Sequence, residues 1–175
     1  MIHNRTYYSL LMWLLRCSWS ALFSLFLYVS VNAQEMPPRP ITVTVNTAQN
    51  LSFGTFAQGT IGGTVSVSSS GMRSSTGDII LISGGIVSTA RFDVVANRGT
   101  IITIVNGSDV QLTSSGGGHL TLHIGVSNPI SPFIITVNRP TVTPVYFGGT
   151  LTVGVPGSNP PGDYSGTFDI TFVQQ

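Results

Sequence analysis

From Ile41 onward the chain is written in short runs where every second residue is apolar. Ile41, Val43 and Val45 alternate with Thr42 and Thr44, and Val65 and Val67 follow Gly62-Gly63. Phe92 and Val94, Ile102 and Ile104, Leu120, Leu122 and Ile124, Phe133, Ile135 and Val137, and Leu151, Val153 and Val155 repeat the pattern. Leu51, Phe53 and Phe56 read as a further run, and Asp78 to Ile82 as an apolar run buried on both faces. Asp163 to Gln174 carries Tyr164, Phe168, Ile170 and Phe172 on even positions against Ser165, Thr167, Asp169 and Thr171 on odd ones. A period of two gives an extended chain one apolar and one polar face.

No stretch of this region shows a sustained 3.6-residue apolar stripe, and turn residues separate the runs. Asn106-Gly107 supplies the positive φ angles of a tight turn and predicts a hairpin between Ile101–Val105 and Val110–Thr113. Ser115-Gly116-Gly117-Gly118 punctuates before Leu120, and Gly148-Gly149 separates Val142–Phe147 from the run at Leu151. Pro144 marks its segment as bent or placed at a sheet edge. The prediction is an all-β fold, an antiparallel β-sandwich of about 8–11 short strands. Short, unequal runs favour a sandwich over a closed barrel. Asp163 to Gln174 is expected to be the last strand, with Tyr164, Phe168, Ile170 and Phe172 as its core side. Tyr164, after a Pro-Pro-Gly loop, either caps the corner through its hydroxyl or is another core aromatic.

The first 33 residues read differently. Arg5 and Arg16 precede an apolar run from Cys17 to Val31 broken only by serines, and Val31-Asn32-Ala33 offers small residues for cleavage. This is the order of a secretory signal peptide, with Gln34 as the expected first residue after processing. A start at Met12 would leave a leader of 22 residues. A retained membrane anchor is the alternative, but the run after Arg16 is shorter than the ~20 residues a spanning helix needs. Residues 34–40 form a proline-rich lead-in expected to be mobile, and 41–175 a single domain.

Processing would change the charge balance. Five arginines (Arg39, Arg73, Arg91, Arg98, Arg139) would stand against six acids, a formal −1, with no lysine anywhere. Nucleic-acid binding, which needs clustered cations, is not expected. Nor is electrostatic attachment to a membrane, so membrane contact is expected only through the signal during export. Cys17 is the single cysteine, so the processed chain would hold no disulfide although its compartment permits one.

Chemistry-bearing patterns are sparse. His119 and His123 sit four apart, but on a strand that is roughly 13 Å, too far for one metal ion with ligands at about 2 Å. Arg91 and Asp93 share a face as a surface ion pair. Asp109 and Asp163 read as turn residues, and no dense acidic loop suggests calcium. No nucleophile elbow occurs, and neither histidine has a carboxylate partner visible in the sequence. Gly116–Gly118 lacks the Lys-Ser/Thr of a phosphate loop. Catalytic, cofactor and metal residues are therefore not assigned, and the chain is read as a non-enzyme. Both tryptophans, Trp13 and Trp19, lie in the leader, which weakens a sugar-stacking platform.

Two stretches carry a resemblance. Leu51-Ser52-Phe53-Gly54-Thr55-Phe56 with Gly62-Gly63-Thr64-Val65-Ser66-Val67 and Gly71-Met72-Arg73-Ser74-Ser75-Thr76-Gly77, and the ending Leu151-Thr152-Val153-Gly154 with Pro160-Pro161-Gly162-Asp163-Tyr164-Ser165-Gly166-Thr167-Phe168, resemble the bacterial secreted domain-of-unknown-function family 4402. The ending is also similar to that of spore-coat-U-type and pilin-like secretion proteins, although this chain lacks their usual disulfide cysteines. The resemblance implies an immunoglobulin-like sandwich and no catalytic residues. The expectation is a protein secreted to the periplasm or outer surface of a Gram-negative-type bacterium. Its expected role is structural or adhesive, as a fimbria-like subunit, self-associating or joining other surface subunits by strand addition. Ile41, Val43 and Val45 are the candidate donor or edge strand, or else the domain's own first strand. The alternative is a self-contained module that binds a glycan or a protein through loops at one end.

Overall fold

The structure is a computed structural model that describes residues 38–175. The expected signal peptide, the start at Met12 and most of the lead-in lie outside the described residues. The described chain contains no helix. Its strands are β1 (Thr42–Val45), β2 (Ser52–Phe53), β3 (Phe56–Ala57), β4 (Gly63–Val67), β5 (Arg73–Gly77), β6 (Ile80–Leu81), β7 (Val87–Ser88) and β8 (Ala90–Val95). They continue as β9 (Ile101–Asn106), β10 (Val110–Ser114), β11 (His119–Asn128), β12 (Phe133–Ile134), β13 (Thr143–Val153), β14 (Tyr164–Ser165) and β15 (Ile170–Gln174). Nine of these have four or more residues, matching the expected 8–11; the two-residue pairs make up the rest.

The result is an antiparallel β-sandwich. Its large sheet runs β1-β8-β13-β11-β10-β14, with β4 and β5 branching from β13. The facing layer is the three-stranded sheet β12-β9-β15, supplemented by the ribbons β2–β7 and β3–β6. Side chains at alternate positions meet between the layers, where Phe147, Ile102, Ile135, Val65, Val67, Val94 and Val145 are fully buried. Phe92 of β8 packs edge-on against Phe147 at 5.4 Å between ring centroids. Phe172 of β15 closes the cluster, 5.6 Å from Phe92 and 6.2 Å from Phe147. These are productive aromatic separations.

Strand β13 organises the large sheet. Thr143–Phe147 pairs with β8, and Gly149–Val153 pairs with β4 along the same edge. The expected break at Gly148-Gly149 is therefore one continuous strand that changes partner. Glycine is required there because a Cβ on Gly148 would lie 1.9 Å from the Val67 carbonyl oxygen. Pro144 lies beyond the last β11 partner, Asn128 opposite Tyr146, so its missing N–H faces a side where the ladder has ended.

Three local expectations are corrected. Asn106-Gly107 does not form a hairpin: β9 pairs with β12 and β15 in one sheet, while β10 pairs with β11 and β14 in the other. Asn106 instead donates from Nδ2 to the Ile124 and Gly125 carbonyls, pinning the crossover to β11. The nearby hairpin is Ser114–Gly118, where Gly117 and Gly118 take φ of 82° and 83°. The Asp78–Ile82 run is not buried on both faces, since Ile79 is buried while Ile80 is 65% exposed. The last strand is also not one strand: β14 belongs to the large sheet and β15 to the small one, with residues 166–169 crossing between layers.

Candidate functional site

The segment Ile41, Val43 and Val45 forms the domain's own first strand rather than an unpaired arm. β1 lies at the edge of the large sheet, antiparallel to β8, with Val43 opposite Val94 and Val45 opposite Phe92. Ile41 and Val43 are half-buried against the core, while Val45 is 56% exposed. Main-chain groups of an edge strand alternate between the ladder and the open side. Asn46 donates to the Arg91 carbonyl at 3.0 Å, so Thr42 and Thr44 face β8 and Val43 and Val45 turn their N–H and C=O outward. Among the described residues no strand pairs with that side. Neither charge nor proline protects β1, the usual devices that blunt an edge. Its start is covered by Gln174, whose Oε1 accepts from the Ile41 amide at 3.1 Å and whose Nε2 donates to the Arg39 carbonyl at 3.2 Å.

The closing segment keeps its expected apolar side through the change of sheet. Tyr164, Phe168, Ile170 and Phe172 all pack half-buried against the core. The Tyr164 hydroxyl donates to the Pro160 carbonyl at 2.7 Å while its ring packs against the core, so the residue combines the two alternatives, corner cap and core aromatic. Beside this corner lies a cleft of about 990 Å³ between residues 50–58 and 159–168. Its floor is Leu112, Leu120 and Leu122 from β10 and β11, each at most 7% exposed. Asn159 fixes one wall by accepting from the Gly154 amide at 2.6 Å and donating to the His119 carbonyl.

The outer face of the large sheet is a polar grid set by strand register. One row reads Thr76, Thr64, Thr152, Thr121 and Gln111 across five strands. The next row reads Ser74, Ser66, Thr150 and His123. Neighbours in the rows bond to one another, Thr64 to Thr76 at 2.7 Å, Ser66 to Thr150 at 2.9 Å and Gln111 to Thr121 at 2.9 Å.

His123 has a carboxylate partner the sequence reading missed: its Nδ1 lies 2.7 Å from Asp109 Oδ1, both residues exposed. The glycine-rich hairpin sets this pairing. Once Leu112 faces Leu120, counting outward brings Asp109 to His123, so the signal was the Ser-Gly-Gly-Gly turn. His119 is exposed on the same strand face and joins no such pair. Among the described residues no group of three or more His, Cys, Asp or Glu is placed to hold a metal ion.

Several of the remaining charges make bonds within the fold. Arg91 Nε donates to Asp93 at 2.7 Å as expected, and that bond raises the arginine above its ordinary pKa. Asp78 accepts from the Ile61 amide at 2.9 Å and from Thr60 Oγ1 at 3.3 Å. The Ile61 bond is the main reason its carboxyl lies below the usual range, against an opposing push from burial. Arg73 clamps the Thr55 and Ile82 carbonyls, and burial lowers its pKa. Arg139 donates to the Val95 and Pro40 carbonyls.

The structure thus defines a β-sandwich with a bare edge strand, a capped corner beside a cleft, and a hydroxyl-rich outer face. Over residues 43–173 the chain matches the model of the family described as Domain of unknown function (DUF4402), and it belongs to that family. No curated protein and no solved structure matches the chain.

Proposed function

We propose that the protein is exported and serves a structural or adhesive role at the bacterial surface, as a fimbria-like subunit whose copies join by strand addition at β1. The observation that carries this reading is the bare outer edge of β1, where Val43 and Val45 aim four main-chain polar groups away from the sheet. An incoming extended segment gains ladder hydrogen bonds there without displacing any that β1 already makes. The leader at residues 1–33 supports export, and the near-neutral surface supports protein contact over nucleic acid.

The test is self-association measured by size-exclusion chromatography across a concentration series, with gels run before and after boiling. Val43→Pro removes an outward N–H and leaves the β8 ladder intact, and Val45→Lys places a charge on the edge. Concentration-dependent oligomers that both substitutions abolish, with circular dichroism unchanged, are the expected result. A wild-type chain that stays monomeric throughout overturns the reading.

A second reading, a self-contained binding module, draws on the hydroxyl rows and the His123–Asp109 pair of the outer face. Neutral glycans offer matching donors and acceptors. Retention on a glycan array that His123→Ala abolishes, in a strictly monomeric protein, would favour this reading over assembly.

A further inference from the structure

Strand β11 has a stretch where both of its ladders lapse. Its pairing with β10 reaches only to Leu122, opposite Val110, and its register against β13 shifts between Ile124 and Ser127. The carbonyls of Ile124 and Gly125 lie in that stretch. The Asn106 side chain at the end of β9 serves both, donating from Nδ2 at 3.1 and 3.0 Å. Two carbonyl acceptors fix which end of the amide faces them, because the amide oxygen has no proton to give. The neighbouring Gly107 amide donates to the Asp169 carbonyl at 2.9 Å, on the segment that crosses from β14 to β15. One dipeptide thus ties β9 of the small sheet to β11 of the large sheet and to the closing crossover.

Asn-Gly is also the pairing in which a side-chain amide reacts most readily with its own backbone, and Asn106-Gly107 is its sole occurrence in the chain. Glycine has no Cβ to obstruct the approach. The Gly107 nitrogen gives up its proton and attacks Asn106 Cγ. A C–N bond forms, the Cγ–Nδ2 bond breaks, and Nδ2 leaves as ammonia with a proton taken in exchange. Water then opens the cyclic imide to aspartate or isoaspartate. Asn106 and Gly107 are both exposed, so water reaches the site.

The closed fold opposes each part of this reaction. Nδ2 is held on β11, and the Gly107 N–H is held by Asp169. Asn106 also pairs opposite Ile170 in the ladder, which keeps its backbone extended when ring closure needs the Gly107 nitrogen folded back onto the side chain. Opening this corner removes all of these restraints together. We propose that Asn106 is a deamidation site gated by the corner it latches: the closed corner protects it, opening exposes it, and the product cannot close the latch again. A carboxylate only accepts hydrogen bonds, so it would face the Ile124 and Gly125 carbonyls with repulsion where two bonds had been. Deamidation is therefore a one-way record that the small sheet has come away from β11. The site is remote in sequence and in sheet from the β1 edge, so this inference does not rest on strand addition.

The experiment follows conversion at Asn106 by peptide mass mapping, at mildly alkaline pH, in the whole purified protein and in a synthetic peptide of residues 103–111. A peptide carrying Gly107→Ala is the chemical control and is expected to convert at least tenfold more slowly than the unaltered peptide. The folded protein is also expected to convert at least tenfold more slowly than the peptide, and low urea is expected to raise its rate in step with hydrogen exchange at Gly107. Converted protein, separated by ion exchange on its added negative charge, is expected to exchange the Gly107 amide at least tenfold faster, while the Asn46 amide beside β1 keeps its protection. Asn106→Asp is expected to behave in the same way. If that variant fails to fold, the converted fraction of the unaltered protein decides alone. A folded protein that converts as fast as the peptide overturns the gate. Converted protein with Gly107 still protected overturns the latch. Oligomers lost on substitution at β1 but unchanged by conversion at Asn106 would keep the two readings apart.

Discussion

β1 and β15 have nearly the same written pattern and nearly the same ladder, yet they are held very differently. Each is paired on one side, β1 with β8 through four residue pairs and β15 with β9 through five. β1 alternates threonine with valine, and β15 sets Ile170 and Phe172 on one face against Thr171 and Val173 on the other. The difference lies in side-chain reach. Phe172 extends from β15 into an aromatic cluster with Phe92 and Phe147. From β1 only Val43, with Ile41 just before it, reaches the core margin, and Val45 stays in solvent. Main-chain pairing contributes similarly to both strands; the buried side chains make β15 an anchor and leave β1 a strand that can meet a neighbour.

The widest gap between the two should appear on truncation to alanine. Phe172→Ala removes a ring packed against two others and leaves a void between the layers, an expected loss of about 3 kcal/mol, the lower end for buried phenylalanines because this one is half-buried. Val43→Ala removes two methyl groups from the core margin, an expected loss of about 1 kcal/mol. Urea denaturation of both variants measures the difference. Equal losses would mean that the ladder, not the side chains, sets how firmly each strand is held.

A smaller effect tests how the closing segment manages to serve two sheets. Between β14 and β15 the chain leaves one layer for the other, and the Tyr164 hydroxyl fixes the corner before it departs. Tyr164→Phe keeps the ring and removes the bond to Pro160, with an expected loss of about 1 kcal/mol. A loss near zero would show that the corner is held by ring packing alone. The loss should vanish when Phe172→Ala is already present if both residues act by seating the same crossover, a coupling a double-mutant cycle reads directly.

How much of this was legible in the sequence follows from the same contrast. Alternation is a local property, and it groups Tyr164, Phe168, Ile170 and Phe172 on one side of the chain; in the fold all four lie half-buried against the core, across a change of sheet that alternation did not reveal. Partner choice is not local. Asn106-Gly107 has the composition of a hairpin turn, but Ile102 and Ile104 face the small sheet's side of the core while Leu112 faces the large sheet's. The chain crosses over because both faces must be buried. Gly148 looked like a break because glycine weakens strands; in the fold it admits the Val67 carbonyl where β13 passes from β8 to β4. The His123–Asp109 contact and the cleft each depend on register or on which layer lies overhead, so no single run of residues announces them. The bare edge of β1 was half legible: its lack of charge and proline is written in the sequence, and its position at the sheet margin is not.

The smallest effect concerns the tie between the two strands. Gln174 of β15 bonds the Ile41 amide and the Arg39 carbonyl, so the anchored strand holds the start of the loose one. The Arg39 bond is exposed and the Ile41 bond only partly buried, so water can replace much of both, and Gln174→Ala should cost only about 0.5 kcal/mol of global stability. Its local consequence should be larger than its global one. The Ile41 amide, freed of its acceptor, should exchange with solvent at least tenfold faster, while the Asn46 amide, bonded to Arg91 at the other end of β1, keeps its protection. Loss of protection at both ends together would mean that β1 detaches as a unit, and that β15 governs whether the edge is presented at all. Loss at Ile41 alone would mean that β8 holds the edge strand in place, and that Gln174 covers just the first of its open positions.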